Sequence, residues 1–376
     1  MSEWKECKLG DVLTFQRGHD LPRTEMIEGS YPVAGSNGII GFHSKYTTKG
    51  PGITIGRSGN IGTPHFYKND FWAHNTVLYV KDFKGNSEIF LFYFLKTLDF
   101  SQFNTGSAVP SLNRNHIHEL SVEFPHLPEQ RAIASILSSL DDKIDLLHRQ
   151  NATLEKMAET LFRQWFVEEA KDDWEEIRLG SIVEIINGVS YKSDDLNSSK
   201  IAMVTLKNFD RNGGFRMDGY KEYTGKYKEQ HILKEGDLVV AHTDITQEAD
   251  VIGNPVMAIG SSKYDTMVFS MDLVKVISKD ENYSNEFLYL IMKSNEFKEH
   301  CLGYSNGSTV LHLSKKAVPE YEMKLPPYNL INDFSKMVKP LVEKQFKNQT
   351  QISTLTTLRD TLLPKLMSGE VRVVQD

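Results

Sequence analysis

The 376-residue chain carries 40% hydrophobic and 25% charged residues, ordinary for a folded protein, and its length predicts two or three cores. No apolar run approaches the roughly 18–20 residues that span a bilayer, and Cys7 and Cys301 are too few for a disulfide framework or a four-ligand zinc site. The net charge of −7 neither demands nor forbids nucleic acid, because Lys+Arg and Asp+Glu number 12 and 12 over residues 1–125 but 6 and 9 over residues 126–172.

The opening Met1-Ser2-Glu3-Trp4-Lys5-Glu6 lacks the basic-then-apolar order of a secretory signal, so a cytoplasmic protein is expected. Residues 1–125 are rich in Gly, aromatic and β-branched residues, and runs such as Gly52-Ile53-Thr54-Ile55 and Thr76-Val77-Leu78-Tyr79-Val80 read as strands between turns. Glu88 to Leu98 has the three- and four-residue apolar spacing of a helix. After Pro128, the residues Ile133, Leu137, Leu140, Ile144, Leu147, Asn151, Leu154, Ala158, Leu161 and Trp165 step by 4 and 3, a heptad seam sustained over about five heptads. Residues 173–326 return to the character of the first segment, with a predicted helix from Ser284 to His300. A second seam follows at Phe334, Val338, Leu341, Gln345, Asn348, Ile352, Leu355, Arg359, Leu362 and Leu366. Pro128 suits a first helical turn and Gly369 a C-cap. Asn151, Gln345, Asn348 and Arg359 are polar intrusions of the kind that fix register.

The chain is written twice. Trp4-Lys5-Glu6-Cys7-Lys8-Leu9-Gly10-Asp11-Val12 matches Trp174-Glu175-Glu176-Ile177-Arg178-Leu179-Gly180-Ser181-Ile182 at an offset of 170. Gly106-Ser107-Ala108-Val109 matches Gly307-Ser308-Thr309-Val310 at 201, an offset held to the end, so the second globular copy carries 31 extra residues. The expected fold is α+β: two mixed α/β globular domains with twisted, largely antiparallel sheets, and two long antiparallel coiled-coil helices in a pseudo-two-fold tandem repeat. The expected boundaries are 1–126, 127–170, 171–326 and 327–376. Such a molecule would present two separated heads, a geometry that suits the local dyads of DNA.

The stretch Gly106-Ser107 … Leu112 … Pro125-His126-Leu127-Pro128-Glu129-Gln130 … Ile133 … Leu137 … Leu140-Asp141-Asp142-Lys143-Ile144 … Leu154 … Leu161 resembles the central region of type I restriction-modification specificity (S) subunits. Leu362-Leu363-Pro364-Lys365-Leu366-Met367-Ser368-Gly369-Glu370-Val371-Arg372-Val373 is similar to that family's C-terminal region. The second copy departs from the pattern, with Tyr328-Asn329-Leu330-Ile331 where the first has Leu127-Pro128-Glu129-Gln130. The resemblance implies a subunit without catalytic residues, metal or cofactor. Its partners would be double-stranded DNA with a split recognition site, two methyltransferase (M) subunits and the restriction (R) motor-nuclease subunits.

Base reading needs donors and acceptors on loops. Gly56-Arg57-Ser58-Gly59-Asn60-Ile61-Gly62 is the best candidate in the first unit for DNA contact, Ser58 included, with glycines that allow close backbone approach and Arg57 and Asn60 able to reach bases. Its counterpart is expected at Ala241-His242-Thr243-Asp244, so His242 and Thr243 join the set. Gln16, Arg17 and Lys192 are candidates for phosphate contact, as are Asn113, Arg114, Lys315 and Lys316 after the Gly-Ser motifs. Other chemistries fit poorly. Leu325-Pro326-Pro327-Tyr328 lacks the amide or acid of an adenine methyltransferase tetrapeptide. Glu129 and Asp141-Asp142 lie along one predicted helix, more than roughly 15 Å apart at 1.5 Å per residue, which suits no metal-dependent nuclease site. His116 and His118 read as solvated or DNA-proximal loop residues rather than metal ligands. The competing expectation is a coiled-coil scaffold that binds proteins through its globular ends.

Overall fold

The computed structural model describes residues 4–100, 103, 111–211, 213–246, 248–307 and 309–373. They form two compact units, Met1–Lys143 with Leu355–Asp376, and Ile144–Thr354. The Gly106-Ser107 motif and Ser308 of its counterpart lie outside the described residues.

The first unit runs β1 (Lys5–Lys8), α1 (Leu9–Val12), β2 (Thr14–Arg17), β3 (Tyr31–Gly35), β4 (Gly38–His43), β5 (Gly52–Gly56), β6 (Pro64–Tyr67), β7 (Trp72–Ala73), β8 (Val77–Asp82), α2 (Glu88–Thr97), α3 (Arg114–His118) and β9 (Ser121–Phe124). The long helix α4 (Leu127–Arg163) follows. Strands β2-β8-β5-β6 make an antiparallel sheet, β4-β3-β7 a smaller one, and β1 pairs with β9 so that the domain begins and ends at one place. Ile53, Ile55, Leu78 and Val80 pack against Phe90, Leu91, Phe94 and Leu95 of α2, against Ile133 and Leu137 of α4, and against Leu366 and Met367 near the chain's end.

The second unit repeats this plan through β10 (Glu175–Arg178), β11 (Val183–Asn187), β12 (Ile201–Val204), β13 (Lys221–Glu222), β14 (Ile232–Leu233), β15 (Leu238–Ala241), β16 (Thr243–Asp244), β17 (Pro255–Met257), β18 (Thr266–Phe269), β19 (Leu273–Ser278), α5 (Asn285–Lys293), α6 (Asn295–Gly303), β20 (Ser305–Asn306), β21 (Leu311–Leu313), β22 (Glu322–Leu325) and α7 (Tyr328–Met367). The sheet order β11-β19-β15-β17 reproduces β2-β8-β5-β6, and the parallel pair β12·β18 reproduces β3·β7. The likeness reaches single atoms. A Cβ on Gly18 would lie 2.0 Å from the His74 carbonyl oxygen, and one on Gly188 would lie 2.1 Å from that of Ser270. Only glycine lets the backbones meet there. Equivalent hydrogen bonds carry the offset from 170 at Gly18/Gly188 to 185 at Arg57/His242, 196 at Thr76/Asp272 and 201 at Leu112/Leu313. The extra residues are therefore shared among connections rather than inserted as one block.

The predicted helix from Ser284 to His300 is two helices. Ser294 sits in extended conformation between α5 and α6, and its side chain accepts from the Phe297 N–H, so it caps the second helix. Apolar spacing runs through both helices, with Phe297 and Cys301 buried beside Phe287 and Ile291, which is why periodicity alone reads them as one.

Every predicted seam position on α4 and α7 is buried or half-buried. In each unit the portions of the two helices run antiparallel, and their polar intrusions find partners. In the first unit Arg359 donates to Asp141 at 2.7 Å, and Asp141 also accepts from the Tyr93 hydroxyl of α2 at 2.6 Å. In the second, Gln345 donates to Glu155 at 2.6 Å and Asn348 to Asn151 at 2.9 Å, while Glu155 takes Lys293 and Tyr289 of α5. Burial alone would push the Glu155 carboxyl up, but the Lys293 ammonium and these hydrogen bonds override it and hold it below its usual range.

The departure at Tyr328-Asn329-Leu330-Ile331 is a change of chemistry. Buried Gln130 donates to the Pro125 carbonyl and Asn86, and accepts the Ser87 N–H at the start of α2. Its counterpart Ile331 is buried in an apolar core. Glu129, 7% exposed, binds Arg372 through two hydrogen bonds of 2.6 and 2.9 Å, and Arg372 lies over the Trp4 ring. The two ends of the described chain thus meet in the first unit.

Arg372→Ala takes both guanidinium hydrogen bonds from a buried carboxylate that otherwise has His126 at 3.7 Å. It is expected to lower the unfolding free energy by about 3 kcal/mol, with Glu129→Leu combined with Arg372→Leu recovering most of the loss, as read by denaturant melts.

Candidate nucleic-acid interface

At one edge of the first unit, β2, β5 and the β7–β8 turn end together. Arg57 follows β5; its N–H donates to the Thr76 carbonyl at 2.8 Å and its carbonyl accepts the Leu112 N–H at 2.9 Å. Its guanidinium donates to the Asn75 carbonyl at 3.2 Å. A guanidinium has five N–H donors, so most remain for a partner. The Asn75 amide donates to Asp20, which also accepts from Arg17 at 3.1 Å. Arg17, Arg57 and Asn75 are thereby held in one network. Gln16, within β2, is half-buried beside them.

Ser58 bridges to Ser111, joining this loop to the segment that leads to α3. Asn113 caps α3 by accepting the Asn115 N–H at 3.0 Å, and Arg114 is exposed in the first turn. Asn60 is exposed and accepts from the Thr63 hydroxyl at 3.1 Å. The loop's glycines serve its own closure: the Gly62 N–H donates to the Gly56 carbonyl at 2.8 Å, and a Cβ on Gly56 would strike the Asn60 carbonyl. Ser36, on the β3–β4 turn, packs against Gly56 and Gly59, which brings exposed Asn37 to the same edge. Asn37 and Asn75 are not among the residues expected from the sequence; the Asn37-Gly38 dipeptide, a hairpin marker, signals the first of them.

His118 is not a solvated loop residue. Its Nε2 accepts the Phe15 N–H at 2.9 Å and its ring stacks on Phe15. Burial, with Arg114 and Lys84 nearby, holds the imidazole below its ordinary value. His116 is exposed. The three carboxylates weighed as a nuclease are engaged separately: Glu129 with Arg372, Asp141 with Arg359 and Asp142 with Lys68.

In the second unit His242 takes the place of Arg57. Its N–H donates to the Asp272 carbonyl at 2.7 Å and its carbonyl accepts the Leu313 N–H at 2.9 Å. Burial, and then Lys315, hold its imidazole below the usual value, so at neutral pH the ring is uncharged and offers one donor and one acceptor. Lys315 and Lys316 are exposed at the positions of Arg114 and Asn115, and Lys316 pairs loosely with Glu320 at 3.8 Å. Lys192 is exposed beyond β11, where its N–H is taken by Asp195. Thr243 is turned inward and 7% exposed, since β16 pairs with β21 there, so little of it faces a partner. Asp244, 1% exposed, clamps the following loop by accepting from the Thr246 N–H and hydroxyl and from the Val251 and Ile252 N–H groups. The pattern Asp244-Ile245-Thr246 is the Asx-turn signal that marks this clamp in the sequence.

A family model described as type I restriction modification DNA specificity domain matches residues 1–156 and 171–354. The type I restriction enzyme MjaIX specificity subunit of Methanocaldococcus jannaschii is 28% identical over 318 residues, covering 76% of this chain and 69% of that protein. The type I restriction enzyme HindI specificity subunit of Haemophilus influenzae is 23% identical over 468 residues, covering 99% and 100%. The crystal structure of a type I restriction-modification system S subunit from M. genitalium has the same fold, with a TM-score of 0.67 at 19% identity over 99% of this chain and 97% of that one.

Asp244→Ala is expected to strip hydrogen-exchange protection from the Val251 and Ile252 amides and to cost about 2–3 kcal/mol of stability. Burial pushes the Asp244 carboxyl up, but its hydrogen bonds outweigh that and hold it below the usual carboxylate range. Its contribution is complete above that range and is lost as pH falls through the depressed folded-state value, a limb of the stability profile that Asp244→Asn should flatten.

Proposed function

The chain belongs to the type I restriction-modification DNA specificity family, and on that premise we propose that it is the non-catalytic, DNA-reading subunit of a type I restriction-modification complex. Residues 1–126 and 171–326 each read one half of a split site in double-stranded DNA. The helices at 127–170 and 327–376 receive two methyltransferase subunits and set the length of the unread spacer. Restriction subunits join that assembly for cleavage, in the cytoplasm, where the DNA lies. The observation that carries this reading is the repetition: one DNA-specificity model matches twice, and both copies hold a basic or hydrogen-bonding side chain, Arg57 or His242, in the same pair of backbone hydrogen bonds.

Gln16, Arg17, Arg57, Ser58, Asn60, Asn113 and Arg114 are proposed to face the first half-site, and Lys192, His242, Lys315 and Lys316 the second. Arg57 reads bases. Its donors suit the O6 and N7 acceptors of guanine, whereas exposed Arg114, Lys315 and Lys316 suit phosphates. A protein-binding scaffold is not favoured, because the matched family is one of DNA specificity.

Co-expression with a methyltransferase encoded beside it, in a methylation-free host, is expected to modify adenines at one split motif with a fixed gap. Arg57→Ala should relax one half only, with discrimination at one position falling by about tenfold or more. Methylation that does not depend on this chain, although the two proteins co-purify, would refute the reading.

A further inference from the structure

We propose that the second unit reads a thymine in the major groove, recognising its 5-methyl group through Met271 and Ile245. This rests on the reading of the chain as a DNA-recognition subunit and adds the chemical class of one target base.

Ile245 is 75% exposed, the highest of the large hydrophobic side chains among the described residues, and Met271 is 51% exposed. A single exposed hydrophobe needs no explanation. These two lie close to His242 along the backbone. Met271 immediately precedes Asp272, whose carbonyl takes the His242 N–H, and Ile245 lies three residues beyond His242. Neither is on a loose segment: the Met271 N–H donates to the Val189 carbonyl at 2.8 Å, and Ile245 opens the loop clamped by Asp244. An apolar side chain held out on a clamped loop has already lost much of the freedom that binding would remove.

The first unit makes the contrast. At the place of Met271 stands Asn75, whose carbonyl accepts from Arg57 and whose amide donates to Asp20. At this position the first unit is polar and lies beside a cation. The second unit pairs a neutral imidazole with two side chains that have no strong donor or acceptor, flanked by exposed Lys315 and His312. The flanking cation suits a polyanion, and the apolar pair suits the one apolar group on a base edge in the major groove, the thymine 5-methyl. A protein surface is the other use of exposed apolar side chains. The position of this pair, beside the counterpart of Arg57, favours DNA.

The test uses the complex with the co-expressed methyltransferase and synthetic duplexes of the mapped motif. Each thymine in turn is replaced by deoxyuridine, which removes the methyl group and nothing else. Arg57→Ala identifies the half read by the first unit, and the remaining half belongs to the second. Within that second half, one substitution is expected to weaken binding about fourfold, the factor one buried methyl group carries. The Met271→Ala, Ile245→Ala double variant should bind thymine and deoxyuridine duplexes alike, with an unchanged melting temperature and an unchanged first half. A second half specified by G·C pairs alone, or one indifferent to every deoxyuridine, overturns the inference and leaves the recognition reading standing. A double variant that no longer co-purifies with the methyltransferase overturns it in favour of a protein contact. If the wild-type complex methylates no split motif, the recognition reading fails and this inference fails with it.

Discussion

An apolar seam of two long helices is permissive about sliding, because one leucine packs nearly as well as another a heptad away. A buried polar group is not, because it loses about 1–3 kcal/mol if its partner is missing. The structure depends on this difference. Arg359 meets Asp141 in the first unit, and Gln345 and Asn348 meet Glu155 and Asn151 in the second. Each cluster also reaches a globular domain, through Tyr93 of α2 or through Tyr289 and Lys293 of α5. The register of the helices and the seating of the domains on them are therefore set by the same few side chains.

The duplication fixes the plan and leaves the chemistry free. Where the chain continues from α4 into the second domain, Phe166 packs among Trp174, Phe287 and Phe334. At the matching place in the first unit, Trp4, Glu129 and Arg372 meet through a cation over a ring and a bidentate ion pair. One junction is packed with rings, and the other uses charge, which is directional and resists sliding.

What could be read in the sequence followed the range of the forces involved. The heptad seams, the strands at Gly52–Gly56 and Val77–Asp82, and the twofold writing of the chain depend on near neighbours and are as expected. Arg57 and His242 were legible as counterparts because both follow a short apolar strand. The break at Ser294 was hidden under continuous apolar spacing, since it depends on one side chain choosing to cap. The role of His118 depends on Phe15, about a hundred positions away in sequence, and no local pattern announces it. Thr243 sits in a stretch that reads as a loop tip, yet its pairing with β21 turns it inward.

Arg57 and His242 are held by the same two backbone hydrogen bonds, to Thr76 and Leu112 in one copy and to Asp272 and Leu313 in the other. The socket grips the peptide and is indifferent to what grows from it. Selection can therefore exchange the side chain there without repaying the cost of a new scaffold. A substitution at either position can change the side chain that is presented and leave the backbone hydrogen bonds, and the fold that rests on them, in place.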